Sequence, residues 1–444
     1  MESPIRIIPI RTPSLGDTSY VVHDGTTAIL VDPQRDIDRF VEVLERLDLT
    51  PEAILETHVH NDYVSGGPAL SRLTGARIIV PAGAAPAYRH DPAFHYEDIS
   101  IGSMVLTPVH TPGHTPEHVS YLVGVEGMAA AVFTGGSMLV GAAGRSDLLG
   151  EARADSLARL QYRSLRRLAA LDPSIEVHPT HGPGSFCAAS TGGSSSSTIG
   201  AERDTSPVLA VETEDAFVEQ HLSGLPSYPS YYRHMAPLNI EGGSRMEPVV
   251  PEIAVSVASE LRERATFVDA RSAKEYAHAH IPGSLWVGAG DSFASWVGWL
   301  VDIDAPIVLI PGEADPGQLA VELGRIGYDH VIGYLDMKSW TDNDLPTTST
   351  STVTVAEWNA SQPEQIVDVR DGYERSDPEI PGAVGVHVPD LDRSVTDRLD
   401  PHSPAWVVCA SGYRSMIAGS ILEGLGVTPV VLIDGGAADI AKQA

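Results

Sequence analysis

The segment Thr57-His58-Val59-His60-Asn61-Asp62-Tyr63-Val64-Ser65-Gly66-Gly67 begins where the apolar run Ala53-Ile54-Leu55 stops, so a strand ends there and a polar turn takes over. Two imidazoles one residue apart, with a carboxylate two positions further on, converge on a metal only from a loop, because a continuing strand would alternate or splay them. The segment therefore reads as a metal loop with His58, His60 and Asp62 as candidate ligands. An isolated His-x-His is more often an ordinary polar turn. Clustering counts against that here: nine of the 17 histidines fall between His58 and His181, several of them in Gly/Pro-punctuated loops after apolar runs.

Upstream, residues 5–10, 19–23 and 28–32 are short β-branched runs that read as strands. Residues 36–47 carry Ile37, Phe40, Val41, Leu44 and Leu47 at helical spacing, with Asp36 placed to cap the helix. Downstream, 69–73 reads as helix and 77–80, 104–109, 119–125 and 129–133 as strands. Residues 156–170 read as a basic amphipathic helix and 175–177 as a last strand. Loops at 58–62, 110–114, 134–137 and 178–184 all follow apolar strands and three of them hold histidine, so one site gathers them. His114 and His181 thereby join the candidate ligands. Cys187 follows the His181-Gly182 turn closely enough to reach the same pocket, where it either holds a persulfide or is a small buried thiol. The Ser/Thr/Gly/Ala stretch from Ala188 to Ser197 reads as flexible. Tyr228, Tyr231, Tyr232 and Met235 are expected to pack back on this domain, with a share in a substrate pocket as the lesser alternative.

The C-terminal half repeats itself. Phe267-Val268-Asp269-Ala270-Arg271 matches Ile366-Val367-Asp368-Val369-Arg370, Ile281-Pro282-Gly283 matches Ile380-Pro381-Gly382, and Gly327 matches Gly426, each pair 99 positions apart. Two tandem domains at 248–346 and 350–444 follow, each alternating short strands with helices, behind a first domain at 1–245. The expected class is α/β throughout. The copies differ after one matching apolar run: Val407-Val408 runs into Cys409-Ala410-Ser411-Gly412-Tyr413-Arg414-Ser415, whereas Val308-Leu309-Ile310 runs into Pro311-Gly312-Glu313-Ala314-Asp315-Pro316.

Composition narrows the function. With 444 residues, a net charge of −30 and a pI near 4.8, the chain is unsuited to nucleic acid or anionic membranes. It has no apolar run long enough to span a bilayer, and its first residues lack a signal-peptide core, so a cytoplasmic protein is expected. Cys187 and Cys409 are too few for a disulfide framework. A cysteine directly after a strand, with Gly412 curling the loop and a helix expected from Ser415, sits among inward backbone N–H groups at a positive helix end. Those features favour a thiolate that accepts sulfane sulfur, with Arg414 holding an anionic donor or acceptor.

This half resembles the rhodanese family of sulfurtransferases, through Asp368-Val369-Arg370, Ile380-Pro381-Gly382 and the loop Cys409–Arg414. The resemblance implies a persulfide on Cys409, an anion pocket formed by Ala410, Ser411, Gly412, Tyr413 and Arg414, and an inactive first copy. The first domain resembles the metallo-β-lactamase fold, an αββα sandwich, through Thr57–Asp62, His110-Thr111-Pro112-Gly113-His114-Thr115-Pro116-Glu117-His118 and His178-Pro179-Thr180-His181-Gly182. With Gly144-Arg145-Ser146-Asp147-Leu148 and the trailing repeats, it is most similar to persulfide dioxygenase and rhodanese fusions of sulfide metabolism.

That resemblance implies a metal-dependent oxidation of persulfide to sulfite, coupled to sulfur transfer, with small persulfides, thiosulfate or sulfite and a low-molecular-weight thiol as partners. Tyr63 stands where many members have a further histidine and favours one metal. Gly136, in Thr134-Gly135-Gly136-Ser137, stands where the family has the aspartate that completes an iron site. Three alternatives follow: one Fe(II) oxidising persulfide; one Zn(II) at His58, His60 and His114, with Asp62 or His181 nearby, acting as a thioesterase-like hydrolase; or a metal-free scaffold, a platform for a homo-oligomer, carrying one sulfurtransferase domain. His110, His118 and His178 are expected to be structural hydrogen-bonders, and Asp147 likewise structural.

Overall fold

The computed structural model describes residues 5–188, 196–246 and 249–442, and it divides into two compact units, residues 1–247 with 324–327, and 248–323 with 328–444. Most of the Ser/Thr/Gly/Ala stretch, together with Met1 to Pro4 and the boundary residues 247 and 248, lies outside the described residues.

Two six-stranded sheets make the first unit. One runs β1 (Arg6–Thr12), β2 (Asp17–His23), β3 (Thr27–Val31), β4 (Thr50–Leu55), β5 (Arg77–Pro81) and β6 (Asp91–Ala93) in that order. The other is built from β7 (Ile99–Ile101), β8 (Met104–His110), β9 (Val119–Val125), β10 (Met128–Gly135), β13 (Glu176–Pro179) and β14 (Ser197–Thr198); a small hairpin, β11 (Met138–Leu139) with β12 (Ala142–Ala143), follows β10. The period of two in strand side chains sorts them into layers. Tyr20, Val22, Ile29, Val31 and Leu55 of the first sheet share a core with Met104, Leu106, Tyr121, Val123 and Phe133 of the second. Val21, Leu30 and Ile54 point the other way, onto α1 (Asp38–Arg46) and α2 (Gly67–Thr74). Val109, Leu122, Val132 and Val177 pack on Leu165 and Leu168 of α3 (Glu151–Ala169). Helix, sheet, sheet and helix are thus stacked as expected for the αββα sandwich.

Asp36 does not cap α1. No side chain caps that helix, and the Asp36 carboxylate is taken by Arg39, 2.6 Å away, because the charged pair outcompetes a neutral backbone donor. The strands β6 and β7 were not expected: each is three residues long, too short to show a period.

The second unit holds both repeats except residues 324–327 of the first. The first has a four-stranded parallel sheet, β16 (Leu285–Trp286), β15 (Thr266–Asp269), β17 (Ile307–Ile310), β18 (Val331–Tyr334); the second has five parallel strands in the order β19 (Ser351–Val353), β23 (Pro429–Leu432), β22 (Ala405–Val408), β20 (Ile366–Asp368), β21 (Val384–Gly385). The repeat extends to individual hydrogen bonds. Arg271 grips Asp269 with Nε and Nη2 at 2.9 and 2.6 Å and donates to the Ala279 carbonyl at 2.8 Å; Arg370 grips Asp368 at 3.0 and 2.7 Å and donates to the Pro378 carbonyl at 2.7 Å. Both pairs are buried. Gly327 and Gly426 have φ of +85° and +86°, where glycine costs least.

Removing one partner of a buried pair leaves the other charge uncompensated, at about 3–5 kcal/mol. Arg271→Ala and Arg370→Ala are therefore each expected to lose about that much stability in urea denaturation. A loss confined to one of them would break the equivalence of the repeats.

Candidate metal and thiol sites

The ends of β4, β8, β10 and β13 deliver their loops to one place in the first unit. His58, His60, Asp62, His114 and His181 are all at most 1% exposed and lie together. Asp32, at the end of β3, is the fastening. It accepts from the Thr57 backbone N–H and hydroxyl, both at 2.7 Å, and from the Thr180 hydroxyl, so it ties the 57–62 loop to the 178–184 loop. The Thr18 N–H bond to the Thr180 carbonyl, 2.8 Å, and the Gly182 N–H bond to the Gly16 carbonyl, 2.9 Å, join the two sheets at this edge.

Hydrogen bonding sets which ring nitrogen of each histidine is free. The Thr57 hydroxyl donates to Asp32, so at 2.9 Å it accepts from His58 Nδ1. His114 Nδ1 donates to the Arg145 carbonyl at 2.7 Å, and His181 Nδ1 faces Asp17 at 2.9 Å and Asp62 at 3.2 Å. All three rings therefore turn Nε2 lone pairs inward. His60 is reversed: its Nε2 meets the Tyr63 hydroxyl at 3.0 Å and Asp32 and Glu56 at 3.3 Å each, leaving Nδ1. His60 Nδ1 and His114 Nε2 are buried with no hydrogen-bond partner. Two unpartnered imidazole nitrogens beside the facing Nε2 atoms of His58 and His181, all buried, fit a divalent ion. His58 Nε2 and His181 Nε2 stand 3.3 Å apart, and a tetrahedral zinc with bonds of about 2.0–2.1 Å sets neighbouring donors at about that spacing.

The electrostatics agree. Burial and the neighbouring imidazoles hold the His58 pKa well below its usual value, and burial with His181 pushes His114 down to about 3, so both are neutral, the ligating form. Burial alone would lower the His181 pKa, but Asp62 and Asp17 outweigh it and lift it to about 10. The field at His181 favours a cation.

Gly136 shapes the fourth side. Its N–H donates to His118 Nε2 at 3.0 Å, and its carbonyl accepts from Gly144 at 3.1 Å. A Cβ at position 136 would stand 2.2 Å from His114 Cδ2 and 2.7 Å from Nε2. The side chain missing there is thus one that would face His114. His118 is held at both nitrogens, by Gly136 and by Thr111 at 3.0 Å, and His178 pairs with Glu176 at 3.0 Å, both structural as expected. His110 Nε2 lies 3.3 Å from the Pro116 carbonyl, and Asp147 pairs with Arg145 at 2.7 Å.

Cys187 is fully buried, and ligand atoms of His114, His181 and Cys187 lie within 4.8 Å of one another. The tyrosines do more than pack: Tyr231 donates to the Asp62 carbonyl at 3.0 Å, and the Tyr232 hydroxyl lies 3.7 Å from the Cys187 sulfur. The cleft lined by Glu56, His58, His60, Tyr88 and Asn239 has a volume of about 20 Å³, room for about one water.

In the second unit Cys409 directly follows β22, fully buried, and the Gly412 N–H donates to its sulfur at 3.1 Å. Gly412 has φ +92°, and a Cβ on it would meet the Ile433 carbonyl oxygen at 2.8 Å. The helix Tyr413–Gly424 starts two residues before the expected Ser415, because Gly412 takes the cap position and turns the chain at once. Ala410 and Ser411 are exposed. The Tyr413 hydroxyl donates to the Gly288 carbonyl at 2.8 Å, so that side chain packs on the first repeat.

Arg414 is not free for an anion. Glu374 grips it twice, at 2.5 and 2.7 Å, and although burial works against ionisation, Arg414 holds the Glu374 pKa below its usual value. In the first repeat Asp315 stands at the Arg414 position, and Glu275, the counterpart of Glu374, closes a capping box with Ser272 instead.

Sequence reasoning passed over Asp17, Asp32, Glu56 and Glu374. Only Glu374 left a signal, since it recurs with Glu275 at the repeat spacing; the other three are single acids in strands or turns, brought to the site by sheet pairing.

The family model for the metallo-beta-lactamase superfamily matches residues 14–181, and that for the rhodanese-like domain matches 255–342 and 352–443. A crystal structure of a metallo-beta-lactamase from Staphylococcus aureus subsp. aureus COL superposes with a TM-score of 0.69 at 28% identity, over 75% of this chain and all of that one. A hydroxyacylglutathione hydrolase of Anaeromyxobacter dehalogenans is 32% identical over 164 residues, 37% of this chain and 60% of that protein, so the chain spans less than two thirds of it. Another from Cereibacter sphaeroides is 32% identical over 186 residues, 40% of this chain and 67% of that protein. Among the described residues no helix is long and apolar enough to cross a membrane.

A carboxylate behind a ligating imidazole raises its basicity, and losing it typically costs about 10–100-fold in metal affinity. Asp17→Asn is expected to weaken zinc binding by that factor in competition with a chromophoric chelator, and unchanged affinity would show that His181 is not a ligand.

Proposed function

We propose, for a chain that belongs to the metallo-β-lactamase superfamily and continues into two rhodanese-like domains, that it is a sulfur-handling enzyme transferring sulfane sulfur through Cys409. The observation that carries this is the Cys409 sulfur, placed directly after a buried strand and accepting from the Gly412 N–H at the start of the helix Tyr413–Gly424. The thiolate attacks the outer sulfur of a persulfide or thiosulfate. A new S–S bond forms on Cys409, the donor's S–S bond breaks, and its electron pair leaves on a thiolate or on sulfite. A low-molecular-weight thiolate or sulfite then attacks the outer sulfur on Cys409, takes it, and restores the Cys409 thiolate. The first repeat has Ile310 at the Cys409 position and serves as support.

For the first unit the reading is a divalent metal held by His58, His60, His114 and His181, with Asp62 beside His181. When bound there, the ion supplies Lewis-acid polarisation and lowers the pKa of a coordinated water. The nitrogen-rich donor set and the glycine at 136 favour zinc. Zinc suits a hydrolytic role, the activity named for the relatives from Anaeromyxobacter dehalogenans and Cereibacter sphaeroides. Iron would instead support persulfide oxidation to sulfite, which Cys409 could turn into thiosulfate. Elemental analysis of freshly purified protein separates these readings, and a preparation free of any metal would leave the first unit a scaffold.

Cys409→Ala is expected to lower sulfur transfer from thiosulfate or a persulfide by about 10³-fold or more, the scale of removing a nucleophile, and retained transfer would overturn the assignment. Glu374→Gln frees the Arg414 guanidinium. Thiosulfate, a dianion, should then show a KM about tenfold lower, equivalent to about 1.4 kcal/mol, while a donor without net charge gains little. Steady-state kinetics with both donors measure the difference.

A further inference from the structure

We propose that Cys187 is itself a metal ligand, its sulfur joining His114 and His181 and supplying the negative charge that Gly136 leaves out. The inference rests on the metal-centre reading of the first unit and deepens it. Its first support is proximity, since ligand atoms of the three residues lie within 4.8 Å of one another in a fully buried place. The second is the His114 Nε2 atom, buried without a hydrogen-bond partner.

The third support is shared positioning. The Arg145 peptide fastens both donors: its N–H donates to the Cys187 carbonyl at 2.9 Å, and its carbonyl accepts from His114 Nδ1 at 2.7 Å. The Cys187 N–H is taken by the Ser185 hydroxyl at 3.2 Å, so the cysteine is fixed from both sides. The Tyr232 hydroxyl stands 3.7 Å from its sulfur, a contact that turns into a donor to a thiolate.

A carboxylate cannot simply return to its usual position. A Cβ at 136 collides with the His114 ring, and the backbone there is pinned by Gly144 and His118. Cys187, on the 182–187 loop, already has its ligand atom within 4.8 Å of those of His114 and His181. On binding, the Cys187 S–H bond breaks, the proton leaves to solvent, and a metal–sulfur bond forms without change of oxidation state. Sulfur and imidazole together select a borderline-soft ion of the zinc type over an oxygen-activating iron site.

The test uses the full chain carrying Cys409→Ser, in which Cys187 is the one remaining thiol, stripped of metal and titrated with Co(II). Visible d–d bands report that the ion is bound; a strong near-ultraviolet sulfur-to-cobalt band reports the thiolate. Both are expected at one equivalent. Adding Cys187→Ser should abolish the ultraviolet band, keep the visible bands and weaken affinity at least about tenfold. Visible bands without the ultraviolet band would overturn the Cys187 assignment and leave the histidine centre standing. No cobalt uptake at all would overturn both.

Discussion

The burial of Asp32 is the constraint on which the first unit's site depends. A carboxylate with no water around it must collect donors, and this one collects them from two loops that are over a hundred residues apart, at Thr57 and Thr180, while lying 3.3 Å from His60. Those bonds fix the loops at the edge where both sheets end, and they relay through Thr57 to fix the tautomer of His58. Each inward nitrogen is therefore defined by a bond made on the far side of its ring. Without that outer layer the four imidazoles would be free to rotate and to protonate separately.

Charge balance links the same cluster to its chemistry. Asp17, Asp62, Asp32 and Glu56 surround two imidazoles, His60 and His181, while His58 and His114 are kept neutral by burial. A divalent ion is the economical partner for that arrangement. The glycine at 136 bears on only one corner of it, beside the His114 ring, and the remaining donors are in order.

The second unit solves a different problem with the same logic. Both repeats secure the turn after a matching strand, β15 in one and β20 in the other, with a buried Asp–Arg pair, and the energetic reason is the same in each, because either charge alone would be stranded. They diverge at one loop. The copy with a thiol also has Arg414, and Glu374 closes on it. The copy with Asp315 has neither, and its glutamate reverts to capping a helix. The two copies thus share their scaffold and differ in the loop that holds Cys409 in one and Pro311 to Pro316 in the other.

Read alone, the sequence reveals individual strands and helices, the tandem repeats, the His58–Asp62 loop and the Cys409 loop, because each rests on a local pattern: side-chain period, a 99-residue offset, or ligand types within a few positions; the sandwich came through the resemblance carried by the histidine motifs. Only the tertiary structure decided how those residues are used. It turned His60 opposite to its neighbours, brought Asp17 behind His181 across the edge of two sheets, paired Arg414 with Glu374, and drew Cys187 to His114 through the peptide of Arg145. These are contacts between residues far apart in the chain, set by sheet order and burial, and no spacing along the sequence records them.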